Sequence, residues 1–146
     1  MNKKTNYSIR KRLIKLCGVA MLSGMLFSTS AVSVGAVGLN RNYTAYSLPR
    51  LKGNAYTPVH EKSTSRNFIK NTVTAISNAS FVYCWAINDG QKKISKKYKA
   101  GPGTGTAKID FTKDGYNKQK VQVGLGLENY QSVGHYAFVT GYVNLY

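Results

Sequence analysis

The chain is short of the residues that carry most enzyme chemistry. It has 146 residues, yet only 2 cysteines, 2 histidines and 5 carboxylates. Two cysteines cannot build a disulfide framework or a four-ligand zinc site. Five carboxylates leave little material for a calcium cage or for a paired general acid and base. No cofactor and no metal are expected. Proline is scarce, with 3 residues. Apolar runs are short as well: none reaches the roughly 20 residues that a membrane-spanning helix needs.

What the chain has in excess is positive charge. It carries 21 Lys+Arg, for a formal net charge of +16. Its 42% of hydrophobic residues is too high for a disordered basic tail. The length suits one folded domain. Part of the charge is an address label. Lys3, Lys4, Arg10, Lys11, Arg12 and Lys15 precede an apolar stretch from Leu16 to Phe27, and Val34-Gly35-Ala36 follows with small or β-branched residues. This reads as a signal peptide over residues 1–36, of the long basic kind typical of Gram-positive bacteria. Thr29-Ser30-Ala31 is a second cleavage position. Cys17 leaves with the leader, so Cys84 is a lone thiol in the mature protein. Residues 37–146 keep fifteen basic side chains against five acidic ones, a net charge of +10. The expectation is a secreted basic protein with no membrane span in its mature form.

Residues 37–146 read as strands. Tyr, Val, Thr, Ile and Phe are abundant, and Gly and Asn punctuate short runs. In 119–128, Val121, Val123, Leu125 and Leu127 alternate with Gln122, Gly124, Gly126 and Glu128, which predicts a half-buried strand. Residues 106–112 set Ile109 and Phe111 against Lys108 and Asp110. Asp114-Gly115 and Asn117 supply turn chemistry between these two runs. Residues 80–88 and 136–145 are apolar on both faces, and 80–88 is read as the most buried strand. Asp89-Gly90 marks a hairpin leading to 91–99, read as an edge strand whose lysines block pairing with other chains. Further strands are predicted at 42–48 and 68–76. Residues 49–66 and 101–105 read as loop, the first as loop or edge. The fold class is therefore all-β, a small antiparallel β-sandwich of about seven strands, with a small barrel as the alternative.

One pattern of punctuation is familiar. Tyr46-Ser47-Leu48, Gly53-Asn54-Ala55-Tyr56-Thr57, Phe81 to Asn88, Gly101 to Gly105, Val121-Gln122-Val123-Gly124 with Leu127-Glu128-Asn129, and Val139-Thr140-Gly141-Tyr142 resemble a family of small secreted β-rich proteins of unknown function from Gram-positive bacteria. The resemblance implies a leader followed by one β-rich domain, and no catalytic residues. In composition the chain is also similar to secreted β-sandwich bacteriocins of the lactococcin type.

The sharpest local feature is Lys92-Lys93-Ile94-Ser95-Lys96-Lys97-Tyr98-Lys99, five lysines within eight residues. Such a stripe keeps a sheet edge solvated, and it also attracts anions. Outside a Gram-positive cell the nearest anionic partners are cell-wall polymers and lipid headgroups. Export argues against nucleic acid as the partner. Lys92, Lys93, Lys96, Lys97 and Lys99 are therefore the candidate anion-binding residues. Lysine in place of arginine suits diffuse attraction more than bidentate phosphate recognition. A thiol–imidazole pair of Cys84 with His60 or His135 is the one enzymatic arrangement available. Cys84 lies in the most apolar run, where a thiol behaves as a small hydrophobe, so no catalytic residue is assigned. Tyr43, Tyr46, Tyr56, Tyr116 and Tyr130 fall near predicted ends and turns, where exposed rings could stack on sugars. Gly124 and Gly126 leave a flat strip that a neighbouring aromatic or a ligand could cover. The leading expectation is a non-enzymatic surface-binding protein, and the alternative is a secreted antimicrobial toxin.

Overall fold

A computed structural model describes residues 39–146, and the leader read over residues 1–36 lies outside them. The described residues form nine strands and no helix. These are β1 (Asn40–Leu48), β2 (Asn54–Tyr56), β3 (His60–Glu61), β4 (Phe68–Ser77), β5 (Val82–Asn88), β6 (Tyr98–Ala100), β7 (Thr106–Asp110), β8 (Gln122–Asn129) and β9 (Ala137–Asn144). They build two antiparallel sheets. The first has the order β1-β9-β4-β7. The second has the order β2-β8-β5-β6, with β3 continuing past β2 along the same side of β8. The sandwich read from the sequence is the fold observed. The strands beyond seven come from residues 49–66, whose two prolines limit β2 and β3 to short pieces on an edge.

Only β2–β3 and β5–β6 are successive strands kept within one sheet; every other connection crosses the sandwich. The Asp114-Gly115 turn lies between β7 and β8, as its residues predict, and carries the chain from the first sheet to the second. Gly115 supplies the left-handed turn, at φ 89°.

Alternation places the core between the sheets. Ile69 and Val73 of β4 and Val139 and Val143 of β9 face Val82, Cys84 and Ala86 of β5 and Val123, Leu125 and Leu127 of β8, all buried. Each large aliphatic among them contributes on the order of 1.5–3 kcal/mol of burial. β9 is not covered on both faces, as its apolar outward residues suggested. Its residues alternate, and Phe138 is 39% exposed on the outer side, beside Tyr136 at 50%. β9 lies in the middle of its sheet, and among the described residues no strand packs over that outer face.

Gly141 explains a register shift on each side of β9. The shifts fall between Tyr43 and Tyr46 in β1 and between Val73 and Ala75 in β4. A Cβ on Gly141 would lie 2.2 Å from the Thr72 carbonyl oxygen and 2.5 Å from the Tyr43 hydroxyl. The missing side chain lets the Tyr43 phenol cross the strand and donate to Asn71 Oδ1 at 2.8 Å. Tyr43 is thus buried, contrary to its expected exposure near a strand end, and burial raises its pKa well above the ordinary tyrosine range.

Candidate functional site

The outer face of the second sheet departs most from the sequence reading. β8 was expected to be half-buried, with Gln122, Gly124, Gly126 and Glu128 towards solvent. Instead Val123 to Asn129 are all buried, on both faces. The register gives the reason. Gly126 pairs with Trp85 of β5 and Tyr56 of β2, and Gly124 pairs with Ile87. The Trp85 indole lies across Gly126, where an added Cβ would come within 2.2 Å of the ring. Val59 covers Gly124, at 3.1 Å from where its Cβ would be. The glycine strip is therefore a seat for one large aromatic, the occupant that two small residues in alternate positions allow. The Tyr56 ring meets the Trp85 ring edge-on at 6.4 Å.

Three more rings extend this face towards one end of the sheet. Tyr83 packs at 5.0 Å from Tyr130, and Phe81 meets Tyr130 edge-on at 6.1 Å. These rings stand at alternate positions of β5 and its entry, 81, 83 and 85, with Tyr130 just past β8. Period two put Phe81, Tyr83, Trp85 and Ile87 on one face in the sequence. Apolarity alone could not say that this face looks away from the core.

The lysine run sits on the edge beside these rings, but not as a single strand. Only Tyr98–Ala100 pairs regularly with β5. Between the turn at Asp89-Gly90 and β6, the ladder reduces to single bridges, Ile87 to Lys93 and Ser95 to Phe111. Ser95 causes the break. Its hydroxyl is buried, accepts from the Ala86 amide at 2.8 Å and donates to the Lys96 carbonyl at 2.8 Å. A side chain thus takes the place of a ladder carbonyl. The next strand partner comes from the other sheet, since Thr112 N donates to the Ile94 carbonyl at 2.8 Å. Residues 94–95 are a corner joining both sheets. This corrects the uniform edge strand read over 91–99, and it buries Ser95 where a wholly polar outer face was expected.

All five lysines are exposed. Lys97 reaches over the aromatic face: its Nζ is 4.7 Å from the Trp85 ring and 6.0 Å from Tyr83, and it forms an ion pair with the buried Glu128. Lys99 stands 3.9 Å from the Phe81 ring centre and 4.3 Å from Tyr130. Lys93 lies opposite Ile87 on the same row of the sheet, and Lys92 caps the turn, its amide bound to Asn88 Oδ1 at 2.8 Å. Lys96 completes the run. Among the described residues, Lys97 alone of the five is within ion-pair distance of a carboxylate. The structure therefore unites Lys97 and Lys99 with four aromatic rings and leaves Lys92, Lys93 and Lys96 along the adjoining rim.

The residues of the enzymatic alternative lie apart. The Cys84 thiol is buried and donates to the Tyr98 carbonyl at 3.4 Å. Burial pushes its pKa up to about 12, an effect that Asn71 partly offsets. His60, in β3, has its pKa lowered by desolvation and then by the Arg41 charge. It lines a cavity of about 280 Å³ with Arg41, Tyr43 and Tyr46. His135, in the β8–β9 loop, bonds through Nε2 to the Asn78 carbonyl at 2.9 Å. No hydrogen bond joins the thiol to either ring. Among the described residues, no group of three metal-ligating side chains occurs, and no helix is long and apolar enough to cross a membrane.

Lys62 has no counterpart among the candidate residues of the sequence reading, which placed it in a segment of loop or edge. It is only 1% exposed. Its ammonium donates to the carbonyls of Arg66 and Tyr116, the latter at 2.7 Å, and lies 4.7 Å from the Phe111 ring. Among the described residues no carboxylate lies within ion-pair distance of it, and desolvation lowers its pKa to about 8. A lysine among Glu61, Ser63 and Thr64 gives no sign in the sequence of being enclosed.

A larger groove, of about 580 Å³, opens at the Lys99 end of the aromatic face, between the β4–β5 turn and the β8–β9 loop. Compared with family models, curated proteins and solved structures, the chain matches none.

Proposed function

We propose that this is a secreted, non-enzymatic protein that binds an anionic glycopolymer of the bacterial surface through the outer face of its second sheet. One observation carries the reading. Lys97 and Lys99 stand over four aromatic rings, Phe81, Tyr83, Trp85 and Tyr130, and on the rim beside them are three lysines that, among the described residues, have no carboxylate within ion-pair distance. Aromatic faces pack against the apolar side of sugar rings, and ammonium groups attract phosphate or carboxylate. The two combined suit a polymer that carries both. The basic leader over residues 1–36 supports a site of action outside the cell, and the net +10 of residues 37–146 supports an anionic partner.

Trp85 is the chain's single tryptophan and lies buried at the base of the proposed face, beneath Lys97, so its fluorescence reports on rearrangement of that face when a polymer binds. The test is retention of the purified protein on cell walls across a salt series, with Trp85 emission followed in parallel. Retention that falls steeply as salt rises, and is lost in a Lys92→Gln/Lys93→Gln/Lys96→Gln variant, supports the reading. No retention at low salt sinks it.

A second reading, a secreted antimicrobial toxin, draws on a different surface. Leu51 (72% exposed), Tyr136 and Phe138 are exposed apolar side chains, and Arg50 stands above the Tyr136 ring. Growth inhibition of related strains by the purified protein, lost on Phe138→Ser, is the outcome that favours it.

A further inference from the structure

We infer that the groove at the end of the aromatic face is a discrete subsite for one sugar unit bearing a phosphate or carboxylate. The inference deepens the polymer reading, which supplies the source of the ligand, while the groove's own chemistry supplies its class. The walls come from separate parts of the chain and are tied together. Phe81 enters from the start of β5, Tyr130 from the end of β8 and Lys99 from β6. On the far side, Asn78 sits in the left-handed region, at φ 61°. Its carbonyl holds the His135 ring at 2.9 Å, and its side-chain amide donates to the Tyr136 carbonyl at 3.1 Å. Asparagine tolerates that backbone better than most residues. The strain is offset by two bonds that fix the β8–β9 loop against the β4–β5 turn.

The polar groups have unsatisfied directions that match such a ligand. Because a carbonyl only accepts, His135 Nε2 is the donor in its bond to Asn78. Its Nδ1 is then an acceptor for a sugar hydroxyl. Lys99 has two aromatic faces as close neighbours and, among the described residues, no carboxylate within ion-pair distance. It is the groove's available cation. Phe81 and Tyr130 present ring surface for the sugar's apolar side. A volume of about 580 Å³ lies within the range of roughly 300–1,000 Å³ typical of small-ligand pockets. Gly101 belongs to the same design: a Cβ there would come within 2.7 Å of the Phe81 ring, so its absence sets where the ring lies.

The experiment is an amide-resolved NMR titration of the full chain with glucose 1-phosphate, with glucose and inorganic phosphate as separate arms. Saturable shifts at Ser80, Gln131 and Val133 are expected with glucose 1-phosphate. Lys99→Gln should weaken binding by about tenfold or more, as loss of a charge-assisted hydrogen bond predicts. Tyr130→Leu should weaken it as well, and a thermal midpoint close to that of the wild type shows that each variant is folded. Equal binding of inorganic phosphate alone overturns the sugar assignment. Absence of shifts at these amides, or unchanged affinity in Lys99→Gln, overturns the subsite. The Lys92→Gln/Lys93→Gln/Lys96→Gln variant separates the two proposals. If it binds glucose 1-phosphate normally and wild type still fails to bind walls, the polymer reading fails and the subsite stands. If walls are bound and glucose 1-phosphate is not, the reverse holds.

Discussion

Raising the pH from 7 to 9 should make this protein more stable, and Lys62 is the reason. An ordinary lysine titrates at 10.5, whereas the enclosed Lys62 is lowered to about 8. Between those values the unfolded chain binds a proton that the folded chain has released. Stability therefore rises with pH across that window. Below pH 8 both states are charged, and the full cost of holding the ammonium away from water is present. Its size over the whole window is about 3 kcal/mol, from a separation of 2.5 units. By pH 9 linkage gives a gain of about 1 kcal/mol. Cys84 acts in the opposite direction. Its pKa is 9.0 when unfolded and about 12 when buried, so its contribution is lost as pH rises above 9. Tyr43, also raised by burial, adds to that loss above 10. The net curve should climb from pH 7, peak between about pH 9 and 10, and then fall. Urea denaturation followed by Trp85 fluorescence at half-unit pH steps measures it. Lys62→Met is the control, because it removes the titrating group while keeping most of the volume. Its curve should be flat from pH 7 to 8.5 and decline above 9. A wild-type stability that is flat or falling from pH 7 to 9, or a Lys62→Met curve that climbs as steeply as wild type, refutes the account.

Two further expectations concern packing and reactivity. Gly126→Ala places a methyl within 2.2 Å of the Trp85 indole and should expel the ring from its seat. The cost is about 1–3 kcal/mol, as for other overpacked sites, with a red shift of tryptophan emission at full folding; unchanged emission would mean that the ring is not seated there. Cys84 should be inert to thiol reagents in the native protein and react only at the unfolding rate, because the thiol is enclosed and its thiolate disfavoured. Rapid labelling without denaturant would contradict its burial.

Much of the architecture can be read from side-chain alternation. The inward residues of β4, β7 and β8 follow period two, and the turn at Asp89-Gly90 lies where its residues predict. The failures share a cause. Gly124 and Gly126 have no side chain, and an uncovered glycine has the same sequence signature as one beneath an indole. β8 therefore looked half-exposed although Trp85 and Val59 cover it. Ser95 looked like an outward polar residue because its hydroxyl's role in the ladder is set by the corner at residues 94–95, which alternation cannot express. Lys62 looked like loop charge because its enclosure depends on carbonyls of residues 66 and 116 and on the Phe111 ring. Of the candidate site, the lysines were legible as a charge run. The rings were legible as a stripe, but only the register between β5, β6 and β8 sets Lys97 and Lys99 above them.

The place of β9 has a consequence for how the chain folds. It is the last strand described, yet it lies between β1 and β4 in the first sheet, pairing Asn40 with Asn144 and Lys70 with the same residue from the other side. Neither β1 nor β4 can complete its ladder until residues 137–144 are available. Such distant pairing implies high contact order and folding on a timescale of about milliseconds to seconds. A growing chain that has not yet reached β9 has no finished sandwich to resist threading through a narrow channel. Strand order thus delays closure of the fold until residues 137–144 are present.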